Sequence, residues 1–170
     1  MKLLFALIGL ASCAFAADAR AVASACGPDS ARFDVALNER TNPVGNNDAS
    51  KARIYVIAEG VQTTRVGLDG AWVGAAEGRS WISFLTEPGE HHMCADWQPS
   101  RMRTVEGLSS AQSISLASFT AEAGKAYYFR VRLTAGPLQG VVFFDLDPTD
   151  SDEGRFLVAS YPPSTSHLKK

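Results

Sequence analysis

The strongest constraint on this chain is a two-residue repeat: apolar and polar side chains alternate in short runs, and turn residues cut the runs apart. Successive side chains of a strand point to opposite faces, so each such run has a dry side and a wet side. In residues 127–133, Tyr127, Phe129, Val131 and Leu133 form one face and Tyr128, Arg130 and Arg132 the other. In residues 141–147, Val142, Phe144 and Leu146 form the dry face. A loop of Gly136, Pro137, Leu138 and Gln139 is expected to set Arg130 opposite Asp145 and Tyr128 opposite Asp147. Residues 113–119 alternate strictly, and residues 53–58 read as a strand by their β-branched and aromatic content.

Two turn signals order the middle of the chain. Asp69-Gly70, between residues 63–68 and 71–74, suits a type I′ hairpin turn, which needs positive φ at both central positions. Glu87-Pro88-Gly89-Glu90 suits a type II turn between residues 80–85 and 91–97. With Leu85 opposite His92, pairing across it is expected to set Phe84 opposite Met93 and Ile82 opposite Ala95 on an inward face. Ser83 then meets Cys94 on the outward face. Past Pro148, Thr149, Asp150, Ser151, Asp152 and Glu153 supply helix-capping residues and an acidic first turn, predicting one short helix over about residues 150–160. About seven to nine short strands with one helix point to an all-β fold, an antiparallel immunoglobulin- or prealbumin-like sandwich.

The first residues carry an address. Lys2 is followed by an apolar run that ends in Ala14-Phe15-Ala16, the build of a secretory signal peptide over residues 1–16. Ala19-Arg20-Ala21 and Ala23-Ser24-Ala25 are later cleavage alternatives. Leu10-Ala11-Ser12-Cys13 fits a bacterial lipobox, so lipidation at Cys13 is the competing outcome. The run is shorter than the roughly 20 apolar residues a spanning helix needs. The expected divisions are an arm over residues 17–50, a sandwich domain over 51–163 and a polar tail over 164–170.

Cleavage at Ala16 leaves two cysteines, Cys26 and Cys94, in an oxidising compartment, where a disulfide is the default. Closing a loop of roughly seventy residues suggests about 4 kcal/mol of stabilisation from chain entropy. The alternative is zinc: His92, Cys94 and Asp96 share one face of an extended strand, and all three residue types bind it. Neighbours two apart on a strand diverge, and no C-x-x-C or H-E-x-x-H spacing is present, so the bridge is preferred. Asp145, Asp147, Asp150, Asp152 and Glu153 form an acidic cluster, but an EF-hand loop opening at Asp145 finds Asp150 where Gly belongs and Phe156 where Glu belongs. Strand-end solvation and helix capping account for the same residues.

Hydrolytic chemistry has little foothold. The histidines are His91, His92 and His167, with no G-x-S-x-G elbow, Walker A loop or G-x-G-x-x-G cradle. His91 shares a strand face with Met93 and Trp97 and reads as a hydrogen-bonded near-core residue. Trp72, Trp81 and Trp97 are candidates for a carbohydrate or peptide platform, although aromatics on strands more commonly fill a core. A formal charge of -2 over 170 residues provides no basic footprint for nucleic acid or anionic lipid. Nine Phe, three Trp and four Tyr are too many aromatics for a disordered tail.

Four stretches together resemble the family of bacterial envelope proteins known as domain of unknown function 2846. They are residues 66–74 (VGLDGAWVG), 88–94 (PGEHHMC), 121–130 (AEAGKAYYFR) and 150–154 (DSDEG). The resemblance covers roughly residues 51–160. It implies an exported, often lipid-anchored β-sandwich with no known activity, substrate or catalytic residue. The expected function is therefore a non-enzymatic envelope module, without cofactor, that binds another envelope protein or a glycan or serves as a structural accessory. The second reading is a ligand-binding or metal-dependent hydrolytic site around His91, His92 and Asp96.

Overall fold

Strand β2 (Ala52–Ala58) has almost no wet face: Ala52, Ile54 and Val56 are buried on one side and Tyr55 and Ile57 on the other. Such a strand needs cover on both faces, and the computed structural model supplies it. The structure describes residues 26–28, 30–39, 48–60, 62–98, 109–112, 114–135 and 141–170. The expected signal segment with Cys13, much of the arm, Ser113 and loop residues 136–139 lie outside these.

Among the described residues the fold is an all-β sandwich with one short C-terminal helix. Sheet I runs β5-β2-β9-β10-β7, with β5 at Ser80–Thr86, β9 at Ala126–Ala135, β10 at Val141–Thr149 and β7 at Ser109–Gln112. Sheet II runs β4-β3-β6-β8, with β3 at Thr63–Leu68, β4 at Ala71–Glu77, β6 at Gly89–Trp97 and β8 at Ile114–Ala121. A small ribbon pairs β1 (Phe33–Leu37) with β11 (Ser164–Leu168). Most pairings are antiparallel, as expected; β2 with β9 and β10 with β7 are parallel. Between the sheets lie Ile54, Val56, Val66, Ile82, Met93, Phe129, Val131 and Leu146. On the outer side of sheet I, α1 (Ser151–Ser160) sets Leu157 and Val158 against Tyr55, Ile57, Trp81 and Tyr128. Parallel central strands covered on both faces read as continuous apolar runs, which is the texture of residues 54–58.

The hairpin at Asp69-Gly70 forms as expected, with φ of 49° and 84°. The helix starts where its cap predicts: the Asp150 carboxylate accepts from the backbone N–H groups of Asp152 and Glu153.

Three expectations are corrected. Strands β5 and β6 do not pair: β5 pairs with β2, and β6 with β3 and β8, so Pro88 lies on a crossover between sheets. Ile82, Met93 and Ala95 still point inward, because two dry faces can meet across a sandwich as well as side by side in one sheet. The β9–β10 register is shifted by two, setting Arg130 opposite Asp147 and Arg132 opposite Asp145. A shift of two leaves every side chain on its expected face, so alternation cannot detect it. Residues 164–168, expected as tail, are strand β11; its Ser/Thr-rich sequence has no apolar alternation, and its order comes from pairing with the arm.

Gly154 fixes how closely α1 sits on sheet I. A Cβ there would lie 2.2 Å from the Tyr128 ring. In an exposed helix Gly→Ala stabilises by about 1 kcal/mol. Here Gly154→Ala is expected to destabilise by about 1–3 kcal/mol through overpacking, read as a lower urea midpoint. An unchanged or raised midpoint refutes the close approach.

Candidate functional site

Strand β6 carries His91, His92, Cys94 and Asp96, the residues of the two metal-site readings, and alternation divides them. His91 faces inward with Met93; His92, Cys94 and Asp96 face outward.

The Cys26–Cys94 disulfide forms, with Cα atoms 5.6 Å apart. Both cysteines are buried, because the arm lies on the outer face of sheet II. It is held chiefly by its main chain. The Trp72 indole N–H donates to the Pro28 carbonyl at 2.8 Å, and an Arg65 guanidinium N–H donates to the Ala31 carbonyl at 2.8 Å. The Gln98 amide brackets Phe33, accepting from its N–H at 2.7 Å and donating to its carbonyl at 2.8 Å. Gly27 lies flat against Trp72, where a Cβ would come within 2.4 Å of the ring.

Arg65 and Asp96 sit opposite each other on β3 and β6 and form an ion pair with both side chains buried. The guanidinium also stacks over Trp72 at 4.3 Å. The second carboxylate oxygen of Asp96 is buried and has no hydrogen-bond partner among the described residues. Asp96 is therefore committed to Arg65, and Cys94 as a disulfide sulfur offers no thiolate. Among the described residues no three His, Cys, Asp or Glu side chains are grouped to hold a metal ion.

His91 is the other committed group. Its Nδ1 lies 2.6 Å from the Asp69 carboxylate, and its Nε2 lies 2.7 Å from the Glu87 carbonyl and 3.2 Å from the Thr86 hydroxyl. The other Asp69 carboxylate oxygen accepts from the backbone N–H of His92 at 2.9 Å. Asp69, a turn residue at positive φ, thus ties the β3–β4 hairpin to β6. Burial disfavours the charged ring, but the Asp69 carboxylate and Glu87 carbonyl outweigh it and raise the His91 pKa above its usual 6.5. For Asp69, burial works upward; the His92 N–H and the His91 ring prevail and lower its pKa. An open cleft of about 250 Å³ is lined by Glu90, His91, His92, Ser118, Phe119 and Thr120, yet both His91 nitrogens are already engaged.

The remaining candidates disperse. Asp145 accepts from Thr134, Asp147 pairs with Arg132, Asp150 caps α1, Asp152 pairs with Arg155 and Glu153 with Arg130. Trp72 lies under the arm, Trp81 under α1, and Trp97 packs on the main core, so they form no shared platform. His167 lies in β11 opposite Asp34, and His92 is exposed. The sequence reading missed Asp69 as the His91 partner, Arg65 as the Asp96 partner and Gln98 as the Phe33 clamp. The one available signal was the hairpin turn, which places Asp69 beside whichever strand flanks it.

No protein-family model matches the chain, and no curated protein matches it. The resemblance to the domain of unknown function 2846 therefore stands on the motifs quoted above.

Two predictions follow from the buried groups. His91 raised above its ordinary value contributes stability that is whole below pH 6.5 and lost as pH rises through the raised pKa. Urea unfolding across this window should show stability declining with pH in the native protein and a flatter profile in His91→Gln; equal slopes would refute the lock. Asp96→Ala, with the disulfide intact, leaves Arg65 charged under the arm and is expected to cost about 3–5 kcal/mol. A loss below about 1 kcal/mol, as for an exposed pair, would mean that the arm does not seal this site.

Proposed function

We propose that this chain is a non-enzymatic, exported β-sandwich module of the bacterial envelope, acting as a binding partner or structural accessory. The observation that carries this reading is the commitment of its reactive groups: both His91 nitrogens are hydrogen-bonded, Cys94 is held in the disulfide, and Asp96 is ion-paired to Arg65 beneath the arm. A catalytic group needs a free atom aimed at substrate. Export is supported by the signal-like N-terminus and by the disulfide, which persists in oxidising compartments. Among the described residues no helix is long and apolar enough to cross a membrane. The mature chain is proposed to be periplasmic or secreted from Ala17, with a lipid anchor at Cys13 as the alternative. The family resemblance supports the same assignment, with an envelope protein or glycan as partner.

The test is protein recovered from the envelope of an expressing bacterium, examined unreduced by intact mass, thiol titration and metal analysis. The expected result is a chain starting at Ala17 with no free thiol and no stoichiometric zinc. Two free thiols with one bound zinc would overturn the reading in favour of a metal-dependent hydrolytic site at His91, His92 and Asp96. The mass of an acylated Cys13 would move the address to the membrane surface.

A further inference from the structure

A sheet border presents unpaired backbone donors and acceptors, and folded proteins blunt such borders to avoid adding strands. The devices are visible here. On β4 the N–H groups of Ala75 and Glu77 donate to the hydroxyls of Ser166 and Ser164. On β5 the Trp81 N–H donates to the Pro162 carbonyl. On β10 the Leu146 N–H donates to the Ser115 hydroxyl, and Pro148 has no N–H to offer. On β1 the Gln98 amide occupies both backbone groups of Phe33.

Strand β8 differs. It ends the order of sheet II, and its eight residues, Ile114 to Ala121, contain no charge and no proline. Its register with β6 runs from Asp96↔Ile114 to Gly89↔Ala121 without a bulge. At its Ser115 end β8 lies against β10, where the Leu146 N–H donates to the Ser115 hydroxyl; from Leu116 to Ala121, among the described residues, no strand pairs on the side away from β6. Leu116, Ser118 and Thr120 stand exposed on its outer face.

We propose that this edge pairs with the same edge of a second copy, antiparallel about a two-fold axis near Ser118, joining two copies of sheet II into one continuous sheet. The strand fits itself. Centred there, each Leu116 faces the other copy's Thr120, each Ala117 faces a Phe119, and no like charges oppose. An edge without charge has little with which to select a foreign strand, whereas two-fold pairing needs only its own pattern. Phe119 of β8 also lines a cleft of about 330 Å³, together with Tyr127, Phe129 and Pro148. The pairing is independent of what the module does in the envelope, and neither test reads the other's outcome.

The experiment is sedimentation velocity on the disulfide-intact mature chain, from micromolar to several hundred micromolar, with amide hydrogen exchange at both ends of the range. A reversible monomer–dimer equilibrium is expected, with protection in residues 116–121 that grows with concentration. Ser118→Lys sets two ammonium groups face to face and is expected to weaken the dimer by about tenfold or more. Because Ser118 is exposed, its melting temperature should stay near that of the native protein. Thr120→Lys serves as a second variant, and Leu168→Lys on β11 should leave the equilibrium unchanged. A monomer at every concentration overturns the proposal, whether residues 116–121 exchange freely, as an edge meant for a foreign strand would, or are already protected, as residues 99–108 lying on the edge would make them. A dimer indifferent to both lysine variants overturns it as well.

Discussion

Strand β6 has to satisfy two opposite surfaces, and much of the architecture follows from how it does so. Its inward residues, Met93 and Ala95, belong to the main core, while its outward residues include Cys94 and Asp96, neither of which is left to water. An outward carboxylate on a sheet is ordinarily solvated. Here Asp96 is only 5% exposed, so its charge requires a buried counterion and the counterion requires a lid. Arg65 on the neighbouring strand provides the first and the arm the second.

The arm is suited to that duty because its carbonyls do the binding. Arg65 donates to Asp96 and to Ala31, so one guanidinium both neutralises the carboxylate and holds the cover over it. Trp72 lies beneath the same guanidinium and holds Pro28, linking cation–π stacking to arm attachment. The disulfide fixes where the arm begins and the β1–β11 ribbon where it goes next. That ribbon then places Ser164 and Ser166 on the border of β4. The two chain segments that read as appendages thus close one flank of the sandwich.

On the inward side of β6 the same economy recurs with opposite sign. His91 beside Phe119 is a polar ring against an aromatic cluster, and it is tolerated because both nitrogens find oxygen acceptors. A neutral ring would leave one nitrogen lone pair facing an acceptor, which is why the charged form is favoured despite burial. Asp69, the acceptor on one side, also carries the hairpin turn, so this contact fixes turn and strand relative to each other.

Alternation and turn chemistry in the sequence determined that the chain is a β-sandwich, which side chains of β6 and β9 face inward, where the Asp69-Gly70 hairpin and the α1 cap fall, and that Cys94 points toward the arm. These are local properties, set within a few residues by backbone sterics and a period of two. Pairing partners were decided only in the tertiary structure. Phe84 and Met93 pack on one core from different sheets, Arg130 stands opposite Asp147 in the register while its ion pairs go to Glu59 and Glu153, and Ser164–Leu168 is a strand because β1 lies beside it. The site was half legible for the same reason: His91 and Asp96 are visible as polar residues on a strand, but Asp69 and Arg65 are brought to them from 22 and 31 residues away. A period of two says which face a residue occupies and nothing about what lies opposite, and contacts across that distance exist only once the sheets have closed.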